Sequence, residues 1–170
     1  EVKIGQYKEP FSLSNLTSPK DLTFIEIASI NGFAAGRSAG IGYNKYLDHV
    51  NIYTGVFGDS FGDSSTSDDE DFTITARTTF ANELDNGFTY HIGAAVRSSQ
   101  PSGNSKTYSF KPEASIETTN MSAAVTTGAI ANIDRTDQVG LEFIAKKDRF
   151  SMQAEYIQTD LDRASGSDDY

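Results

Sequence analysis

The stretch FTITARTTFANELDNGFTYHIGAAVR, residues 72–97, alternates apolar and polar side chains on both sides of an Asn-Gly pair. Alternation with a period of two predicts β-strands that have one apolar face, and Asn86-Gly87 is a favoured pair for a hairpin turn. The predicted apolar face carries Phe72, Ile74, Ala76, Phe80, Phe88, Tyr90, Ile92, Ala94 and Val96. The predicted polar face includes Thr73, Thr75, Arg77, Thr79, Thr89, His91 and Arg97. We therefore predict two antiparallel strands.

The same alternation recurs along most of the chain, with short turns at one end of the predicted strands and long loops at the other. Further strands are predicted at 2–7, 38–45, 50–58, 107–116, 138–146 and 150–156, with a weaker one at 121–131. Short turns are expected at 46–49, 82–87 and 146–149, and long loops at 10–35, 59–71 and 98–106. The predicted fold class is therefore all-β, with antiparallel strands.

Two architectures produce strands of this kind. A soluble antiparallel sheet buries one face against a second layer, whereas a transmembrane β-barrel turns its apolar face toward lipid. The difference in loop length between the two ends favours the barrel. Aromatic residues near the strand ends also suit a membrane interface: Phe72, Phe80, Phe88, Tyr108, Phe150 and Tyr156. The first prediction is an antiparallel transmembrane β-barrel, and the alternative is a soluble or secreted β-sandwich that serves in binding or adhesion.

The composition narrows the range of functions. The 170 residues include no Cys, which excludes a disulfide framework and a thiolate metal site. The formal net charge of -10 argues against nucleic acid as a partner. His49 and His91 are the only histidines, and no catalytic or phosphate-cradling motif is present. We therefore expect neither an enzyme nor a cofactor.

The long connection at 10–36 has structural signals of its own. Pro10 ends the first strand because proline cannot donate a ladder hydrogen bond. Ser18 followed by Pro19 predicts the start of a helix, and Asn31-Gly32 predicts its end. The residues expected on one side of this helix are Leu22, Ile25, Ala28 and Ser29. So long a connection is either a surface lid or a functional insertion.

Pieces of the sequence resemble those of a known family. In order, GQYKEPFSL (5–13), KDLTFIE (20–26), NGFAAGR (31–37), VFGDS (56–60), FTITARTTF (72–80), HIGAAVR (91–97), FKPEA (110–114), TGAIA (127–131) and GLEF (140–143) resemble the phosphate-selective porins of the O and P type. The similarity covers nearly the whole chain. Ile27 is one difference, because members often carry an Arg directly after the glutamate of TFIE.

This resemblance implies a porin of the bacterial outer membrane, with a sixteen-stranded and usually trimeric barrel. In that family, the segment that corresponds to 10–36 folds into the barrel and narrows the pore. The chain 1–170 would be one partial barrel domain, an internal piece that lacks strands at both ends. The implied function is passive diffusion of small hydrophilic solutes, including anions such as phosphate. The implied partners are outer-membrane lipid and two further copies of the protein.

The polar faces of the strands supply the candidate pore lining. In the barrel interpretation, the side chains that face the lumen are Lys3, Arg77, Arg97, Lys111, Glu113, Glu142 and Glu155. The long loop adds Lys8, Lys20 and Arg37, which are offset by Glu9, Asp21 and Glu26. Rings of charge and the width of a constriction set selectivity in water-filled pores. Because the two signs nearly balance and no dense arginine lining is present, the sequence does not predict strong selectivity for phosphate.

Overall fold

The computed structural model describes residues 1–22, 27–59, 72–101, 105–110 and 125–163, and its main feature is a seven-stranded antiparallel sheet. In spatial order the strands are β1 (Val2–Lys8), β2 (Arg37–Leu47), β3 (Val50–Phe57), β4 (Phe72–Glu83), β5 (Thr89–Gln100), β10 (Ile133–Lys147) and β11 (Phe150–Arg163). Two short ribbons are separate from this sheet: β6 (Ser105–Lys106) pairs with β9 (Ile130–Ala131), and β7 (Ser109–Phe110) pairs with β8 (Val125–Thr126). The predicted antiparallel all-β fold is confirmed.

Short turns join the strands at one end of the sheet, as predicted. Asp48 and Asp148 take positive φ angles of 45° and 52° in the tight turns after β2 and β10. Gly87 takes a φ of 74° between β4 and β5, a conformation that glycine adopts without a steric penalty. The connections from β1 to β2, from β3 to β4 and from β5 to β10 lie at the opposite end. The predicted division between short turns and long loops is therefore present.

The sheet buries its polar face and exposes its apolar face. Thr75 and Gln138 on the polar face are 0% and 2% exposed. Ile74, Val96 and Leu141 on the apolar face are 50%, 53% and 51% exposed. A soluble sandwich buries its apolar faces, but in the described ranges no second layer covers this one. Such a sheet is typical of a barrel wall, with lipid on the apolar side and a lumen on the polar side.

The two edges of the sheet are β1 and β11, and they do not pair with each other. Among the residues that the structure describes, the seven strands therefore form an open sheet and not a closed barrel. No described helix is long and apolar enough to cross a membrane.

The segment between β5 and β10 differs from its prediction. β5 pairs directly with β10, from Thr89 opposite Lys146 to Ser99 opposite Thr136, so no strand lies between them. In their described parts, 107–110 and 125–131, the strands predicted at 107–116 and 121–131 are therefore wrong as members of the sheet. Their described residues contribute only to β7, β8 and β9, and 111–124 lie outside the described residues. The loop predicted from residue 98 also starts later, because β5 continues to Gln100.

The helix in the connection between β1 and β2 also lies at a different place. A short helix is present, α1 (Leu13–Leu16), and the Ser12 hydroxyl accepts a hydrogen bond from the Asn15 amide at its start. Ser18 caps only a 3-10 turn at Pro19–Asp21, and a second 3-10 turn occupies Ser29–Phe33. The predicted continuous helix from Pro19 to Asn31 is wrong because Leu22 is extended, with a ψ of 134°. Residues 23–26 lie outside the described residues.

Candidate functional site

The connection between β1 and β2, residues 9–36, is here called the β1–β2 loop. Of its described residues, 9–22 and 27–36, several contact the polar face of the sheet. Phe11 is fully buried there. A Cβ atom added at Gly140 would lie 3.4 Å from the Phe11 ring and 3.9 Å from Ala95. Both distances are ordinary van der Waals contacts, so the ring packs directly over position 140 of β10. Burial of this phenylalanine holds the start of the loop against the middle of the sheet.

Glu155 of β11 fastens the start of α1. Its carboxylate accepts hydrogen bonds from the Leu13 amide at 2.8 Å, the Ser14 amide at 3.1 Å and the Ser14 hydroxyl at 2.7 Å. The first amides of a helix have no partner within the helix, and a negative charge is favourable beside them. Because β1 and β11 are opposite edges of the sheet, the loop reaches across the whole polar face.

Two side-chain amides hold the returning half of the loop. The Gln138 amide donates to the Phe33 carbonyl and to the Thr159 hydroxyl, both at 3.0 Å. The Asn15 amide donates to the Ala35 carbonyl at 2.6 Å, which ties α1 to the segment before β2. The loop is therefore fixed to the sheet at several separate points.

Arg97 of β5 forms the first of two ion pairs on the polar face. Its Nε lies 2.7 Å from Oε2 of Glu9, and the two side chains are 8% and 2% exposed. The other guanidinium nitrogens donate to Ser99 at 2.9 Å, to Gln138 at 3.2 Å and to Thr73 at 3.3 Å. Since Glu9 belongs to the loop, this pair both neutralises the arginine and joins the loop to β5.

The second ion pair joins Arg77 of β4 to Glu142 of β10. The Arg77 Nη2 and Nε atoms lie 2.6 and 3.2 Å from the two carboxylate oxygens. His91 of the intervening strand β5 places Nε2 at 2.5 Å from Glu142 Oε1. A Cβ atom added at Gly93 would lie 2.5 Å from the same oxygen, so glycine leaves the space that the carboxylate occupies.

Lys3, Lys8 and Lys20, also predicted to line the pore, form no hydrogen bond or salt bridge with either ion pair. Lys3 Nζ lies 4.3 Å from the centre of the Tyr7 ring. Lys8 donates to the Asn15 carbonyl of the loop and is the cross-strand partner of Arg37. Lys20 is exposed in the loop, and Lys111 and Glu113 lie outside the described residues. The site that the structure assembles is therefore the set of anchors and ion pairs beneath the loop.

Two cavities flank the loop. A polar one of about 280 Å³ lies between the loop, the sheet and β6, where Arg37, Arg97 and Lys106 are among the lining residues. An apolar one of about 350 Å³ lies between the loop and β7, beside the rings of Phe33 and Tyr108, whose centres are 5.0 Å apart. Burial raises the pKa of the Tyr108 hydroxyl. Within the described ranges, no group of His, Asp and Glu side chains is arranged to hold a metal ion.

A comparison with protein families agrees with this geometry. The family model described as phosphate-selective porin O and P matches residues 1–170, the whole chain. The chain belongs to this family. It is therefore a porin of the bacterial outer membrane, and its family is one of channels and not of enzymes. No curated protein and no solved structure gives a significant match.

The sequence of this porin indicated some of its loop anchors but not their roles. Glu9 and Glu155 were predicted as charges of the loop and the lumen, while Gln138, Asn15 and Phe11 carried no signal of a contact. An aromatic residue after Pro10 and a glycine at position 140 are compatible with many structures. Only the fold shows that the ring and the glycine meet.

We expect Glu155→Ala to loosen the β1–β2 loop of the porin. The substitution leaves two buried helix residues, Leu13 and Ser14, without their acceptor, which costs about 1–3 kcal/mol. Urea unfolding of the full-length protein in detergent would measure this loss. Increased noise in the open-channel current would report greater motion of the loop. Glu155→Gln keeps an acceptor oxygen and should lose less. An alanine variant with the same stability and the same current noise as the unmodified protein would contradict the anchoring role of Glu155.

Proposed function

We propose that this porin is a passive channel for small hydrophilic solutes, and that the segment 10–36 of the β1–β2 loop narrows it. The observation that carries the proposal is the division of the sheet into an exposed apolar face and a polar face under an anchored loop. A barrel wall requires this division because one side meets lipid and the other lines water. Diffusion through such a pore needs no covalent chemistry and no cofactor.

The paired charges of the polar face indicate that the pore discriminates only weakly between anions and cations. Both arginines of the middle strands, Arg77 and Arg97, are within 2.7 Å of a carboxylate oxygen. The fields of two opposite charges so close together largely cancel at the distance of a passing ion. Phosphate would therefore pass as one of many small solutes and not through a dedicated series of unpaired arginines.

We further propose that additional strands complete the pore. The edges β1 and β11 expose backbone groups that need hydrogen-bond partners in lipid. The chain 1–170 would be one partial domain of a barrel of sixteen strands, an even number within the usual range. Outer-membrane lipid would surround the apolar face, and three copies would associate.

The decisive test is the single-channel conductance of the full-length protein in a planar bilayer. Discrete current steps are expected from the porin. The competing account is a soluble β-sandwich that acts in binding or adhesion, which would fold cooperatively in water and conduct no current. Folded, membrane-inserted protein without conductance would overturn the proposed channel.

Charge reversal in the loop tests whether the loop contributes to selectivity. We expect Lys20→Glu combined with Arg37→Glu to shift the reversal potential toward cations, because each charge in a narrow pore changes local ion concentrations about twofold at low salt. The matched control is Lys147→Glu with Arg149→Glu, which makes the same charge change at the short-turn end of the sheet. Equal reversal potentials for the loop variant and the unmodified channel would show that these two residues do not contribute to the selectivity of the pore.

A further inference from the structure

Glu9 is in a rare environment for a carboxylate. It directly follows β1, and the Phe11 amide donates to the Glu9 carbonyl at 2.8 Å in the turn that brings the chain over the sheet. Its side chain is only 2% exposed. Glutamate is almost never buried to this extent unless it is paired. The groups that contact this carboxylate therefore indicate the role of Glu9 in the loop.

Three residues on three different strands donate to the Glu9 carboxylate. Ser38 of β2 donates to Oε1 at 2.7 Å, and Thr75 of β4 donates to Oε2 at 3.3 Å. Arg97 of β5 donates to Oε2 from Nε at 2.7 Å and to Oε1 from Nη2 at 3.5 Å. A single carboxylate of the loop is thus the common acceptor for β2, β4 and β5.

All the hydrogen-bond donors of the Arg97 guanidinium group have acceptors in the same arrangement. A guanidinium group has five N–H donors. Two of them point to Glu9, and the others reach Ser99, Gln138 and Thr73. With a full negative charge beside it and no donor left over, Arg97 offers a solute neither an unpaired charge nor a free hydrogen bond.

We propose that Glu9 is a built-in counter-ion that determines the ion selectivity of the pore by masking Arg97. This inference rests on the proposed channel function. Arg97 is the kind of group that would concentrate small anions such as chloride or phosphate at a constriction. Glu9 cancels that attraction from within the protein, so the channel admits small solutes of either charge at this point. Removal of Glu9 converts the position into an anion site.

The test is a charge cycle in the full-length porin, with reversal potentials measured in a planar bilayer under a gradient of dilute KCl. The four channels are the unmodified protein, Glu9→Gln, Arg97→Gln and the double variant. We expect Glu9→Gln to raise the ratio of chloride to potassium permeability about two- to fourfold, and Arg97→Gln to lower it by a similar factor. The double variant should return to the ratio of the unmodified channel because the net charge of the pair is again zero.

A control separates masking of Arg97 from a general effect of removing one carboxylate. Glu83→Gln makes the same substitution at the exposed, short-turn end of β4, away from Glu9 and Arg97, so the permeability ratio should not move. A conducting Glu9→Gln channel with an unchanged ratio would overturn the proposal. If Glu9→Gln does not fold, the other two variants decide: a double variant that differs from the unmodified channel as much as Arg97→Gln does would also overturn it. Absence of current from the folded, inserted, unmodified protein would overturn the channel function itself, and the role of Glu9 with it.

Discussion

Leu141→Arg is expected to impair assembly of the porin by about 2–4 kcal/mol, the cost of an arginine near the middle of a lipid-facing barrel wall. Leu141 lies near the middle of β10 and is 51% exposed on the apolar face. Its cross-strand neighbours are Ala94 and Tyr156, which offer no carboxylate to an introduced guanidinium. The full-length variant should therefore fold into vesicles less completely, as measured by the heat-dependent shift in electrophoretic mobility or by urea titration.

The matched control is Ile144→Arg, which introduces the same side chain in the same strand but on the polar face. Ile144 is partly exposed and pairs with His91, whose ring contacts Glu142. Because this face lines water in the proposed pore, the control should assemble with a smaller loss. Equal losses for the two variants would show that the two faces do not differ in environment. That result would contradict the assignment of the apolar face to lipid.

Glu142→Ala is the second change with a large expected effect, a loss of about 3 kcal/mol in the free energy of unfolding. The Glu142 side chain is 4% exposed and is the acceptor for both Arg77 and His91. Removal of one member of a buried pair is costly because it leaves the other charge without compensation. Urea unfolding of the folded full-length protein would measure the loss.

A charge-free replacement provides the comparison for this pair. Arg77→Met combined with Glu142→Leu removes both charges and fills the space with apolar atoms, which is often close to neutral for a buried pair. We expect this double variant to recover most of the stability that Glu142→Ala loses. If the alanine variant were as stable as the unmodified protein, the pair would be a hydrated lumen contact with no part in holding β4 to β10.

The faces of the strands could be predicted because they depend only on local alternation. In 72–80 and 88–96 every second residue except Thr78 is apolar. The structure places Ile74 and Val96 on the exposed face and Thr75 and Arg97 on the buried one. Hydropathy alternates in the same way in a sandwich and in a barrel wall. Loop lengths and the family resemblance favoured the barrel wall, and the folded sheet supports that choice because no second layer covers its apolar face in the described ranges.

Pairing between distant strands could not be predicted in the same way. Alternation at 107–116 is equally compatible with a long sheet strand and with a short ribbon such as β7, since register is set by contacts far away in sequence. Local capping signals were also insufficient to predict the position of the β1–β2 loop. Ser18 does cap a turn, but Glu155 and Gln138 determine where the loop lies, and neither is near it in the sequence.

Contacts between the β1–β2 loop and the long connection from β5 to β10 have a consequence for protein engineering. Phe33 stacks on Tyr108, and Gly32 comes so close to β7 that an added Cβ atom would lie 2.8 Å from the Ser109 carbonyl oxygen. The described parts of the two segments thus pack closely against each other at these residues. A chimera that takes 9–36 from another porin would therefore also need the connection between β5 and β10 from that porin. The two segments would have to be exchanged together.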